Sequence, residues 1–197
     1  MNNCMEKWIS LLVSVPIGAI SSLIAWWILN YCIKPKIKFS DNISRIDEDS
    51  KSFYRFKFEN SGRRRIVDSE IIAKLRIKGL KYSTNWEVIY LPLDNNRIPI
   101  IKSVKKEKNK LREVPRLELG LIDQKYFRFL PDKIKQMIID DSIKLEDLMN
   151  LVSKTELILI VSGYDEISGA KKTFESKPYK IDDIKKGKFD NYGLNVK

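Results

Sequence analysis

Three consecutive arginines are the side chains of this sequence that best fit a binding role. Arg63, Arg64 and Arg65 directly follow residues 60–62, Asn-Ser-Gly, whose composition is typical of a turn. A guanidinium group is planar, always charged and matched in shape to phosphate and carboxylate oxygens. The triplet predicts contact with a lipid phosphate or an acidic partner, and the alternative is a solvated turn between two strands.

The residues that most enzymes use for catalysis are scarce. The sequence has no histidine and two cysteines, which excludes Ser-His-Asp and Cys-His nucleophile pairs, histidine bases and Cys-ligated zinc or iron–sulfur sites. No phosphate-binding or dinucleotide-binding glycine motif occurs. The adjacent carboxylates Asp140/Asp141 and Asp182/Asp183 are more typical of helix caps and solvated faces. We therefore expect no enzyme, no catalytic residue, no metal and no cofactor.

A long uncharged stretch precedes these residues. Residues 8–33 contain no charged side chain, and about 20 apolar residues suffice to cross a bilayer. A secretory signal would be shorter and end at small residues, and a core helix of this length does not suit so short a chain. Residues 1–34 are therefore predicted to be a single transmembrane anchor, without a pore-forming second span.

The flanking charges predict the orientation of this anchor. Lys34, Lys36 and Lys38 lie on its C-terminal side, and positive residues stay in the cytoplasm. We expect a protein of the cell's inner (plasma) membrane with its N-terminus outside. The three lysines are expected to contact the anionic inner leaflet, a partner in line with the net charge of +11. Background compositional bias toward lysine is the alternative explanation of that charge.

Small side chains form a stripe within the predicted span. Ser10, Ser14 and Ser21 are spaced by 4 and 7 residues, so they share one helical face with Gly18. Such stripes are typical of helix–helix packing in membranes, and less often line a wet pore. We expect these residues to pack one span against another.

Residues 35–190 are predicted to form one cytoplasmic domain, followed by a polar tail over residues 191–197. Several stretches alternate between apolar and polar residues, and one stretch has helical spacing, which indicates a mainly β fold, a β-sandwich with a short helical insertion. The first half is predicted to have a strand from residue 36 to 39, a turn-rich segment over 42–52, a strand over 53–58 and a long strand over 66–80 with a bulge near 70–72. A strand over 86–93 follows, with 98–104 as its hairpin partner. The second half is predicted to have one or two helices over 131–152, split near 140–142, then a central strand over 155–162 and a hairpin that returns at 171–175.

The order of several short motifs resembles the cytoplasmic domain of inward-rectifier potassium channels. The motifs are residues 56–65 running into 66–70, residues 88–92, residues 155–169, and residues 179–189 with their Tyr, acidic-Ile, Gly and Phe pattern. The resemblance implies an immunoglobulin-like β-sandwich and oligomerisation, since that family's cytoplasmic domains form a four-fold ring. The chain departs from the family in having one span, no pore helix and no T-x-G-Y-G filter. We therefore do not expect a potassium pore of that design.

Two functions follow from these observations. The first is an anchored interaction or sensing module at the inner membrane surface, with a homo-oligomer or another protein as partner. The second is an oligomeric effector that forms a pore when triggered, by analogy with small single-span proteins of bacterial antiviral defence. Nucleic acid is not the expected partner: Arg55 between Phe53 and Phe56 could mimic a stacking surface, but no recognition motif accompanies it.

Overall fold

A computed structural model describes residues 2–29, 33–48, 51–80, 85–105, 113–191 and 193–197, with side chains from residue 14 onward. The chain divides into two compact units, Met1–Lys34 and Pro35–Lys197.

The first unit is a helix, α1, which spans Asn2–Trp27 and contains Pro16. Its described apolar side chains are exposed, among them Ile20, Leu23 and Trp26. Within the part of the chain that is described, no helix combines the length and the apolar character that a membrane crossing requires. The charge-free stretch also includes residues 30–32, which lie outside the described residues.

The second unit is mainly β, and its sheets form a sandwich-like arrangement. Its described strands are β1 Ile37–Phe39, β2 Ile43–Glu48, β3 Lys51–Arg55, β4 Phe58–Asn60, β5 Ile66–Lys78, β6 Trp86–Leu91, β7 Arg97–Ile101, β8 Thr155–Asp165, β9 Lys171–Glu175 and β10 Ile184–Lys186. Its described helices are α2 Asp132–Ile139 and α3 Leu145–Met149, with 3-10 turns at Leu119–Leu121, Gln124–Phe129 and Ile181–Asp183. The split helical insertion is thus confirmed.

The central sheet has the strand order β6-β5-β8-β9. In β5 buried apolar residues alternate with charged ones from Ala73 to Lys78, so one face meets the core. β8 is buried along most of its length, as expected of a central strand. The long strand, the central strand and the hairpin from β8 to β9 were all predicted correctly.

A bulge interrupts β5 two residues earlier than predicted. The pairing of β5 with β8 shifts register between Val67 and Glu70, where Asp68 adopts a positive φ of 48°. Aspartate is one of the few side chains that tolerate this conformation. Across the bulge, a Cβ at Gly163 would lie 2.5 Å from Cγ2 of Ile66. The bulged backbone of β5 therefore leaves no room for a side chain at residue 163 of β8.

The predicted hairpin between β6 and β7 is wrong. Both strands pair antiparallel with the same edge of β5: β6 lies along its second half and β7 along its first half. The N–H of Ile71 donates to the carbonyl of Asn96 at 2.8 Å, in the gap between the two strands. The two short strands share one long neighbour and cover that edge of β5.

The segment over residues 42–52, predicted as turn-rich, instead forms β2 and the start of β3. β2 is the middle strand of a three-stranded sheet with the order β10-β2-β3, and its pairing with β10 is parallel. Its polar Ser44 is fully buried and donates to the carbonyl of Gly187. Because Ser44 is polar but buried, this segment lacks the regular alternation of apolar and polar residues by which a strand is predicted.

One hydrophobic core joins the sheets and the two short helices of the second unit. Its largest fully buried side chains are Tyr54, Tyr179, Phe56, Phe58, Ile43, Ile66, Ile71, Leu75, Ile77, Ile89, Leu145 and Leu148. Because Phe56 belongs to this core, it is not available to stack on a nucleic-acid base.

The last residues are not a separate tail. The N–H of Lys197 donates to the carbonyl of Lys188 at 2.8 Å, and Ser40 Oγ donates to the carbonyl of Leu194 at 2.6 Å. The described residues of the segment 191–197, predicted as a polar tail, thus belong to the second unit.

Candidate anion-binding turn

The segment from Asn60 to Arg65, which we call the arginine turn, is built around the side chain of Asn60. This side chain is buried, and its Nδ2 donates to the carbonyl of Arg64 at 2.6 Å. Its Oδ1 accepts from the N–H of Gly62 at 3.0 Å and from the N–H of Lys36 at 3.2 Å. Asparagine favours turns because its short amide can replace backbone partners in this way. One side chain thus fixes the shape of the turn.

Backbone contacts tie the arginine turn to two other segments. The carbonyl of Lys36, just before β1, accepts from the N–H of Ser61 at 2.7 Å and from the N–H of Gly62 at 3.3 Å. On the other side Ser103 donates its hydroxyl to the carbonyl of Gly62. Since its backbone is held from both sides, the turn presents its outward side chains from a fixed frame.

The middle arginine points into the protein. Arg64 is 4% exposed, and its Nη1 lies 3.0 Å from Oδ2 of Asp165, whose side chain is 3% exposed. Burial raises the pKa of Asp165, but the N–H of Ile167 and the guanidinium of Arg64 outweigh burial and lower that pKa overall. Asp165 is therefore a carboxylate at neutral pH. The predicted contact of Arg64 with a lipid phosphate or an acidic partner gains no support here, because its charge is buried and already paired.

The two flanking arginines are exposed, as the sequence predicts for a contact site. Arg65 lies 3.5 Å from Glu166, and both side chains are more than 40% exposed, so solvent weakens this ion pair. Arg63 is exposed as well. The chain bends at residues 62–64, and within this bend the middle side chain is buried while its two neighbours are exposed.

Two of the three predicted lysines lie on the same unit as the turn. Lys36 and Lys38 are exposed, and Lys38 is paired in register with Glu59 of β4. Lys36 shares backbone hydrogen bonds with the turn, so the structure brings it together with Arg63. Lys34 is exposed and belongs to the first unit.

Lys36, Lys38, Arg63 and Arg65 are exposed cations on the arginine turn and on the segment bonded to it, and we call these four residues the basic rim. Arginine and lysine together match the oxygens of phosphate groups. Each cation near an anionic leaflet contributes about 1 kcal/mol of attraction. The basic rim can hold anionic headgroups by charge.

One of the serines predicted to pack the span, Ser21, bonds within its own helix. Ser21 Oγ donates to the carbonyl of Ile17 at 2.8 Å, the usual arrangement for a helical serine. The space around Gly18 is open, and Ser14 is exposed. The side chain of Ser10 lies outside the described residues. Packing of this face against a second span stays a prediction.

The adjacent carboxylates serve local structure. Asp140 accepts from Gln136 Nε2 at 3.0 Å, and exposed Asp141 pairs with Lys51. Asp183 accepts from the N–H of Lys180 at 2.9 Å, while Asp182 is exposed. Among the described residues, no group of three or more metal-ligating side chains comes together.

Three residues that build the site escaped the sequence analysis: Asn60 as the centre of the turn, Asp165 as the partner of Arg64, and Ser103. Asp165 could have been identified from the sequence as a partner for a buried cation, since it is an acidic residue at the end of an apolar strand. The contact of Ser103 with residue 62 could not have been identified in this way, because it joins segments far apart in the chain.

Comparison with known proteins adds no family to this description. No protein-family model matches the chain. A search of curated proteins finds no match either.

Proposed function

We propose that this protein is a single-pass membrane protein whose basic second unit, Pro35–Lys197, is an interaction and sensing module at the inner membrane surface. We call this second unit the β unit. The uncharged sequence of residues 8–33 and the exposed apolar side chains of α1 support the anchor. Lysines 34, 36 and 38 support an inward orientation of the β unit.

The observation that carries the proposal is the attachment of the arginine turn to Lys36. Lys36 follows the end of the first unit by two residues in the chain. Its carbonyl holds Ser61 and Gly62, so Arg63 and Arg65 are fixed beside the start of the β unit. If α1 is anchored in lipid, this chain connection keeps the basic rim within reach of the headgroups.

We also propose that the β unit is immunoglobulin-like. Antiparallel sheets packed over one apolar core support this arrangement. The parallel pair β10–β2 is a difference from the simplest form of that fold.

The test compares the full-length chain in nanodiscs of anionic and of zwitterionic lipid. A native state that binds anionic headgroups gains stability by mass action, so we expect β-unit unfolding, followed by circular dichroism, to occur at a higher temperature in anionic nanodiscs. The double variant Arg63→Ser/Arg65→Ser should lose most of this difference. The matched control Lys185→Ser/Lys188→Ser removes two exposed charges elsewhere and should keep it.

Two results would contradict the proposal. An unchanged difference in the arginine variant would remove the basic rim from headgroup binding. A full-length chain that stays in solution without detergent or lipid would overturn the anchor itself.

A further inference from the structure

Strand β9 is an edge of the central sheet. It pairs with β8, and no other described strand pairs with it. All of its side chains are exposed except Phe174, which is half-buried. An edge strand of this kind is a template for pairing with another strand.

The hydrogen bonds at both ends of the β8–β9 ladder show which backbone groups face outward. The N–H of Asp165 donates to the carbonyl of Ala170 at 3.0 Å, and the N–H of Ser176 donates to the carbonyl of Leu159 at 2.9 Å. Both are directly opposed pairs in this register, and antiparallel strands alternate between bonded and non-bonded pairs. The backbone groups of residues 172 and 174 therefore face β8, and those of Lys171, Thr173 and Glu175 face outward.

We propose that β9 pairs antiparallel with β9 of a second copy of this chain, around a two-fold axis at Thr173. At this register Thr173 lies opposite Thr173 of the second copy, and Lys171 lies opposite Glu175 of the second copy. Every outward N–H and C=O of these residues then meets a partner. The opposite charges meet twice, once on each side of the axis, and cross-strand pairs of opposite charge are stabilising.

The charges also select this register against its neighbours. An axis at Lys172 places two lysines directly opposite each other, which is destabilising. An in-register parallel pairing sets Lys171 beside Lys171 and Lys172 beside Lys172 along the whole strand. With the axis at Thr173, Lys172 instead lies opposite Phe174, where an ammonium can approach an aromatic ring.

The interface is self-complementary, so it closes as a dimer rather than growing into a fibre. It joins the central sheets of two copies into one continuous sheet. The inference rests on β9 alone and does not depend on the membrane anchor or the basic rim.

A charge-swap cycle on the full-length chain in detergent tests the pairing by sedimentation analysis. Lys171→Glu places two carboxylates opposite one another at both ends of the interface, and we expect the dissociation constant of the dimer to rise about tenfold. Glu175→Lys should do the same by opposing two ammonium groups. The double variant Lys171→Glu/Glu175→Lys restores opposite charges and should return the constant to near that of the parent. Lys185→Glu, on exposed β10, is the matched control.

A disulfide gives a second, independent measurement. Opposed residues in a bonded antiparallel pair have Cα atoms about 5.5 Å apart, which suits a disulfide. In a chain carrying Cys4→Ser and Cys32→Ser, Thr173→Cys should form a covalent dimer under mild oxidation, and Lys185→Cys should not.

A monomeric parent at the highest concentration measured would overturn the proposal. So would a dimer that is equally stable in the parent and in Lys171→Glu, because association through α1 does not respond to charges on β9. Equal cross-linking by Thr173→Cys and Lys185→Cys would overturn it as well.

Discussion

Arg63, Arg64 and Arg65 are chemically identical side chains in two different surroundings. Arg63 and Arg65 lie in solvent, and Arg64 is buried against Asp165. The sequence predicts the turn and its charge correctly, but the partner of Arg64 lies about a hundred residues further along the chain. Nothing local in the triplet distinguishes a binding arginine from a structural one.

At the residue scale, Asp165→Asn should destabilise the β unit by about 3 to 5 kcal/mol, because it leaves the buried charge of Arg64 without its counter-charge. Glu166→Gln, which affects the neighbouring exposed ion pair with Arg65, should cost less than about 1 kcal/mol. Chemical unfolding of the full-length chain, followed by circular dichroism, measures both. Equal losses in the two variants would contradict the structural role of the buried pair.

The same carboxylate predicts a dependence on pH. The pKa of Asp165 is lowered in the folded state from its ordinary value of 3.8, so its stabilising effect is complete above that value and is lost as the pH falls through the lower folded pKa. We expect unfolding free energy to fall less steeply in acid for Asp165→Asn than for the parent. Parallel curves for the two proteins would assign the acid sensitivity to other groups.

At the scale of elements, sequence periodicity identified strands that lie on the core with regular alternation, such as β5 and β8. It failed where a strand buries a polar residue, as β2 does with Ser44. It also failed for the pairing of β7, because the choice between β6 and β5 depends on a distant edge rather than on local residues. The four residues of the basic rim were all among the predicted contact residues, but so was Arg64, because charge can be read from the sequence and burial cannot.

The bulge in β5 gives a prediction at this scale. A methyl group at residue 163 would meet Ile66, Ser69 Oγ and the carbonyl of Val67, so Gly163→Ala should destabilise the β unit by about 1 to 3 kcal/mol. Gly169→Asn is the matched control: its φ of 64° suits asparagine and the space around it is open. Comparable thermal unfolding of both variants would show that the contact across the bulge relaxes freely.

At the scale of the whole β unit, segments from opposite ends of the chain lie side by side. β10 pairs with β2, and the N–H of Gly187 donates to the carbonyl of Arg45 at 2.9 Å. In a regular parallel ladder the N–H of Lys185, two residues earlier, donates to the carbonyl of Ile43. The last described strand, β10, therefore completes the sheet that β2 and β3 begin.

Lys185→Pro removes that N–H and should loosen β2 as well as β10. We expect hydrogen exchange at the backbone amides of β2 to accelerate at least tenfold, because local opening becomes cheaper by more than about 1.4 kcal/mol. Lys185→Ala keeps the N–H and should leave these rates nearly unchanged. Slow exchange of β2 in the proline variant would show that the strand does not depend on its late neighbour.

The pairing of β2 with β10 also determines how late β2 can complete its sheet during synthesis. About 140 residues separate the two strands in the chain, and about 80 to 100 residues separate the paired residues of β5 and β8. At about 5–20 residues per second a ribosome needs roughly 7 to 30 seconds to make that interval. During this time β2 has emerged with its neighbour β3 but without β10, so this protein is expected to rely on chaperones during translation more than a domain built from local hairpins does.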